Sequence, residues 1–296
     1  MSAGSQLDHA HAVCRGVTRR AARNFYYAFL VLPREKRDAL CAVYAFMRHC
    51  DDLCDEPGVA LAERRARLEA WRQSLHQVLA GQATDDPVLF ALAEAQKRFQ
   101  IPPQLFDQLV QGTAMDLPPA EAPPGSVLTF ASFDELYDYC YHVASVVGLV
   151  TIGIFGYRDE ERQQLSDATC TALQLANFWQ DVLVDYGKGR IYLPLEDLRR
   201  FGVSEDDIAG RRATPAFLDL MRFEVERARQ WFAQGLPLAG KVDRELALDV
   251  ELFSRGGQEI LNAIERQGYD VLRRRPVISR PRKLWLVARA FLKRLA

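Results

Sequence analysis

Much is missing from this 296-residue chain, and each absence narrows its reading. Charge of one sign is not in excess: 38 Lys and Arg stand against 39 Asp and Glu, a net charge of −1. That balance excludes an unfolded polyelectrolyte and a nucleic-acid binder driven by surplus positive charge. Eighteen glycines and 14 prolines are too few for a collagen-like or low-complexity chain, and no repeat of fixed period occurs. The six cysteines are scattered and include no Cys-x-x-Cys pair, so no disulfide framework is expected. His49, Cys50 and Cys54 lack a second ligand pair at zinc spacing, which leaves small reduced hydrophobes as the reading of these thiols. The longest apolar stretch, His142 to Phe155, is about 14 residues, against about 20 for a membrane span. The N-terminal stretch has no apolar core of signal-peptide type, so a soluble cytoplasmic protein is expected. Neither G-x-G-x-x-G after a strand nor a P-loop is present.

What is present is helical periodicity. Leu40, Val43, Tyr44, Met47 and Leu53 recur at three and four residues, as do Leu61, Leu68, Trp71, Leu75, Val78 and Leu79. The spacing predicts helices over 39–55, 60–79, 87–99, 103–115, 133–155, 159–185, 214–234, 244–267 and 283–295. Period-two alternation of strand length is absent, so no sheet is expected. Turn-forming clusters break the pattern at 117–125, with four prolines and a glycine, and at 185–194. Neither break resembles an interdomain linker, which makes residues 1–296 one all-α domain in expectation.

Two acidic clusters carry the chemistry. In the first, Asp51 and Asp55 are four residues apart and share a helix face, with Asp52 about 100° round. In the second, Asn177, Asp181 and Asp185 form one row at i, i+4, i+8. Either row alone fits a solvated face. Large apolar neighbours argue instead for a cavity: Tyr44, Phe46 and Met47 before the first row, Phe178 and Trp179 within the second. Hard carboxylate oxygens suit Mg²⁺ shared with a substrate phosphate. Two such rows would hold a diphosphate leaving group of about three negative charges and assist ionisation of its C–O bond. A carbocation would then need a dry aromatic lining, for which Phe25, Tyr26, Phe29, Tyr44, Tyr139, Tyr141, Phe178 and Trp179 are candidates, although each is individually an ordinary core residue.

Several segments, in order, resemble the squalene/phytoene synthase family. Phe25-Tyr26-Tyr27-Ala28-Phe29-Leu30, then Tyr44-Ala45-Phe46-Met47-Arg48-x-x-Asp51-Asp52-x-x-Asp55, is similar to its first signature. Tyr139-Cys140-Tyr141-x-Val143-Ala144 resembles its central segment. Asn177-x-x-x-Asp181-x-x-x-Asp185 followed by Gly189-Arg190-Ile191-Tyr192-Leu193-Pro194 resembles its second aspartate motif and flap. The likeness runs from about Cys14 to Arg282. It implies the all-α isoprenoid synthase fold, with a central cavity and two facing aspartate-rich helices. The implied reaction is head-to-head condensation of two prenyl diphosphates through a cyclopropylcarbinyl diphosphate. By the same resemblance Asp51, Asp52, Asp55, Asn177, Asp181 and Asp185 would serve Mg²⁺, and Arg48, Arg190, Arg275 and Asn177 the diphosphate. Tyr44, Tyr139 and Tyr192 would line the reacting centre.

The chain also departs from the family pattern. Gln180 stands where an arginine is usual, Asn24 replaces a common serine, and Gly256-Gly257 stands where some relatives carry a cavity tyrosine. The Asn-Phe-Trp-Gln-Asp wording is similar to the bacterial hopanoid-pathway branch, which handles farnesyl-derived C30 intermediates. Gln180 and space at Gly257 would then position or admit a water that captures the final cation. Two alternatives stay open: a C20-using phytoene synthase and, more remotely, a non-enzymatic assembly-factor relative. The resemblance leaves NADPH open as a reductant and the oligomeric state unspecified. Lipid substrates make Arg273–Lys283 and the apolar face of Leu284–Leu295 candidates for peripheral membrane contact, against the plainer reading of a packed C-terminal helix.

Overall fold

The computed structural model describes residues 3–22, 26, 29–30, 32–118, 123, 126–279 and 282. The expected helix at 283–295, its apolar face, and Arg23, Asn24, Phe25, Tyr27 and Ala28 lie outside the described residues. Among the described residues all regular structure is helical, with a single isolated bridge between Leu128 and Arg190. Two compact units result. The first comprises Met1–Ala120 with Val146–Asp159, the second Glu121–Ser145 with Glu160–Ala296.

In the first unit, α1 (Ala3–Ala21), α2 (Arg34–Asp55), α3 (Leu61–Leu79), α4 (Pro87–Phe99) and α5 (Pro103–Met115) are joined by α7 (Val146–Ile154). Helix α2 is its centre and packs on all the others. Phe46 on α2 is fully buried, stacked on Trp71 at 6.0 Å and edge-on to Phe106 at 6.4 Å. Helix α1 was not legible as an amphipathic stripe because its buried face is built from small side chains. Ala10 and Cys14 meet Cys41, Ala42, Ala45 and Ala91 there, which lets backbones approach closely. Asp86 caps α4, its carboxylate accepting from Val88 N at 2.8 Å and Leu89 N at 2.9 Å, with Pro87 in the first turn.

In the second unit, α8 (Glu160–Tyr186) is the spine. It packs against α11 (Pro215–Gly235), α12 (Arg244–Arg266) and a π-helical turn at Tyr141–Ser145 that follows α6 (Phe133–Cys140). The apolar run expected as one helix over 133–155 is therefore three pieces: α6, the π turn and α7. Periodicity misses such a register change, which inserts one residue without altering composition. The short helices α9 (Leu195–Phe201) and α10 (Glu205–Ala209) and the 3-10 turn Leu236–Gly240 also fell below the length that periodicity detects. Gly235 permits a close approach: a Cβ there would lie 2.8 Å from the Thr169 backbone nitrogen. All six cysteines carry thiols, five of them buried. No helix among the described residues is long and apolar enough to cross a membrane.

A buried ionic group ties α9 to α11. One guanidinium nitrogen of Arg227 donates to Asp197 at 2.8 Å and to both Glu224 oxygens at 3.1 and 2.9 Å. Burial, reinforced by the neighbouring Asp197 carboxylate and only partly opposed by Arg227, pushes Glu224 from its ordinary 4.5 up to about 8. Because the folded state holds this proton more tightly, its stabilising contribution is complete below pH 4.5 and is lost as pH rises through about 8. The slope is at most about 1.4 kcal/mol per pH unit. Denaturant unfolding of Glu224→Gln across this range is expected to show a flatter pH dependence than the parent protein. Parallel curves for the two proteins would refute the assignment.

Candidate active site

Helix α2 sets out the first acidic row. Asp51 and Asp55 are four residues apart at its C-terminal end, and Asp52 forms an exposed ion pair with Arg48 one turn back. The predicted diphosphate ligand Arg48 and predicted metal ligand Asp52 thus partner each other. Tyr44, one further turn back, is half-buried, and its phenol is raised by that burial against the pull of Arg48. Asp51 is exposed, yet enough protein surrounds its carboxyl that it is pushed up to about 6. Desolvation is the main cause, and the like charges of Asp116, Asp55 and Asp52 add to it against Arg48. Asp116, just past α5, is a member of this acidic group that sequence reasoning missed. It stands alone between Met115 and Leu117, with no spacing to connect it to α2.

The second row runs along α8. Asn177 is exposed, whereas Asp181 and Asp185 are half-buried. Arg275 grips Asp181 with two donors, Nε to one carboxylate oxygen and a terminal nitrogen to the other at 2.9 Å. That pair, with Asp185 also contributing, raises the Arg275 guanidinium further above its ordinary value despite partial burial. Gln180 is buried, and both ends of its amide are engaged. Its nitrogen donates to the Pro276 carbonyl at 2.6 Å, and its oxygen accepts from Arg275 at 3.1 Å. Gln180 therefore holds Arg275 and its segment in place.

The flap follows directly. Gly189, at φ 76°, turns the chain so that Leu128 N donates to Gly189 O at 2.7 Å and Ile191 N to Leu128 O at 2.8 Å. Arg190, half-buried, donates its backbone N–H to Asp185 O at 2.9 Å, which joins the flap to the second row. Tyr192 and Tyr139 are buried with their hydroxyls 3.3 Å apart. Phe178 stacks on Tyr192 at 3.8 Å, and Phe130 lies beside both tyrosines. Carried by the flap, α6 and α8, this is a preformed aromatic cluster.

Other candidates go elsewhere. Tyr26 and Phe29 pack on the small-residue cluster of α1, α2 and α4. Trp179 is fully buried core, and Tyr141 sits half-buried in the π turn. The expected space at Gly257 is filled. A Cβ there would overlap the end of the Phe232 ring and lie 3.0 Å from Leu173 Cδ2, so this glycine exists to admit Phe232. Gly257→Ala is expected to destabilise the fold by about 1–3 kcal/mol by overpacking, measured by denaturant unfolding. An unchanged midpoint would contradict the filled site.

Among the described residues, no three His, Cys, Asp or Glu side chains converge as a ready-made metal cluster. The donor chemistry nonetheless fits a hard divalent cation. Both rows offer oxygen ligands, and the desolvation and like charge that raise the Asp51 carboxyl are what a cation among these carboxylates would offset.

The chain belongs to the squalene/phytoene synthase family, whose model matches residues 18–282. It is 37% identical over 251 residues to the phytoene synthase of Mycobacterium tuberculosis (82% of this chain, 78% of that protein). It is 32% identical over 301 residues to the 15-cis-phytoene synthase of Synechococcus elongatus (98% and 94%). Among solved structures it is similar to the squalene synthase HpnC of Alicyclobacillus acidocaldarius, with a TM-score of 0.81 and 40% identity over 90% of this chain and 96% of that one. A ligand-bound dehydrosqualene synthase matches at a TM-score of 0.84 and 26% identity (98% and 99%). The protein is accordingly a transferase of the head-to-head prenyltransferase type with an all-α isoprenoid synthase fold. Its family binds prenyl diphosphates and uses a divalent metal to do so.

The shift at Asp51 is measurable. In metal-free protein its carboxyl carbon is expected to titrate near pH 6 by NMR, and Asp116→Asn should move that midpoint down by removing a like charge. A midpoint unmoved by the substitution would show that Asp116 does not act on it.

Proposed function

We propose that this protein condenses farnesyl diphosphate-derived substrates head to head, through presqualene diphosphate, to a C30 product such as squalene or hydroxysqualene. The observation that carries the C30 reading is the 40% identity to a squalene synthase over nearly the whole of both chains. The continuous family match from residue 18 to 282 supports treating the chain as one synthase domain. Asp51, Asp55, Asp181 and Asp185 are the residues that would hold Mg²⁺, with Asn177 exposed in the second row to assist and Asp52 beside Arg48. When bound, the metal neutralises charge on the departing diphosphate.

The protein's own groups do the rest. Arg48, Arg190 and Arg275 supply guanidinium donors for diphosphate oxygens, and Gln180 keeps Arg275 aimed by accepting from the same terminal nitrogen that bonds Asp181, which leaves the other terminal nitrogen for the ligand. Tyr139 and Tyr192 present phenols that burial keeps from open water, locked in place by Phe178 and Phe130, and Tyr44 adds a half-buried phenol. Aromatic faces stabilise a nearby carbocation without offering it a nucleophile. Their rigid stacking costs no reorganisation as charge develops.

A second reading has its own support. Relatives named phytoene synthase match at 32–37% identity, and a cavity admitting two geranylgeranyl diphosphates would yield a C40 hydrocarbon. Purified protein with Mg²⁺ should be supplied separately with farnesyl, geranylgeranyl and presqualene diphosphates, and products identified by mass spectrometry. A C30 product is expected, with the rate lowered about 10³-fold or more in Asp51→Asn/Asp181→Asn. A C40 product from geranylgeranyl diphosphate in place of a C30 one would overturn the first reading in favour of the second.

A further inference from the structure

Beyond the two aspartate rows, the second unit contains a cavity of about 610 Å³ behind Arg275. Among the described residues it is lined by Arg266, Arg274, Arg275 and Arg282, with Glu259 as the single carboxylate in the wall. Four guanidinium groups around one space repel one another. Arg282 donates to Glu259 at 2.7 Å, and Arg266 lies 3.8 Å from the same carboxylate. Arg275 is held from outside the lining by Asp181. A net positive excess therefore faces the cavity.

The walls are built by more than exposed side chains. Helix α12 ends through Gly268 at φ 69° and Tyr269 at φ 66°, and the following turn is capped where Asp270 accepts from Arg273 N at 2.9 Å. Gln267 crosses the turn, its side-chain nitrogen donating to Asp270 O at 2.7 Å and Arg274 O at 3.1 Å. Buried Gln180 fixes the far end through the Pro276 carbonyl. Arg274 and Arg275 are thus presented from a backbone braced at three places. A flexible basic tail would spread its charges apart; this segment keeps them together.

We propose that this cavity is an anion site that takes a phosphate-type ligand without any divalent metal. Guanidinium forks match tetrahedral phosphate oxygens, and the volume accommodates a diphosphate or a phosphorylated headgroup. The site shares Arg275 with the proposed substrate site, but Arg266, Arg274 and Arg282 take no part in the proposed reaction, and none of the row carboxylates is a ligand here.

The test is isothermal titration of inorganic diphosphate into the full-length protein in EDTA at low ionic strength, where the carboxylate rows have no metal through which to hold a diphosphate. Saturable binding is expected. Arg266→Ala/Arg274→Ala should weaken it about tenfold or more, and Arg266→Lys/Arg274→Lys should recover part of the loss by restoring charge without the fork. Both arginines are exposed, so the folded state should persist, as circular dichroism would verify. Asp51→Asn/Asp55→Asn should bind diphosphate like the parent protein. Flotation with phosphatidate and phosphatidylcholine vesicles distinguishes the sources. Phosphatidate-specific binding competed by free diphosphate makes the ligand a lipid headgroup, whereas calorimetric binding without flotation makes it a soluble anion. Absence of saturable diphosphate binding together with absence of phosphatidate-specific flotation, or binding equal in Arg266→Ala/Arg274→Ala, would overturn the proposal.

Discussion

A row of carboxylates on a half-buried helix face is tolerable only if cations are placed among them, and the two-pronged Arg275–Asp181 pair is how the second row of this protein meets that constraint. Much of the surrounding structure serves this contact. Gln180 accepts from the terminal nitrogen of Arg275 that also bonds Asp181, and pins the backbone of the next residue. The capped turn after α12 delivers the arginine to α8 from nearly a hundred residues away. The first row uses a cheaper device: Arg48 sits one turn from Asp52 on the same helix, exposed and worth little in stability. Desolvation, with the like charges of Asp116, Asp55 and Asp52, outweighs the attraction of Arg48 at Asp51 and raises its carboxyl.

The aromatic groups divide along similar lines. Trp179, Phe46 and Phe106 are fully buried and hold helices together. Tyr139, Tyr192, Phe178 and Phe130 form a compact stack fed by α6, the flap, α8 and the segment before α6, and its geometry rests on the flap turning at Gly189. Identical residue types thus do different work according to which element delivers them. Gly235 and Gly257 illustrate the same point from the opposite side. Each is defined by what fills the space beside it, Thr169 in one case and Phe232 in the other.

Much of this was legible in the sequence, for reasons that can be named. Long helices such as α3, α4, α5 and α8 announce themselves because their apolar positions repeat with the helical period, and α4 also carries a recognisable Asp86 cap. The two acidic rows are visible because four-residue spacing on one helix is a local property. Helix α1 escaped notice since alanine and cysteine form its buried face, and the π turn at Tyr141–Ser145 changes register without changing composition.

The sequence by itself determined the helical class, the two carboxylate rows and the order of motifs that define the family. Those features depend on residues within a few positions of one another. Only the tertiary structure decided which cation meets which carboxylate, that Asp116 joins the first acidic group, and that Gly257 is filled by Phe232. It alone assigned Gln180 to Arg275 and gathered four arginines around one cavity. These pairings join residues from separate elements, most of them tens of residues apart. No pattern of spacing encodes them, because they exist only once the helices have packed.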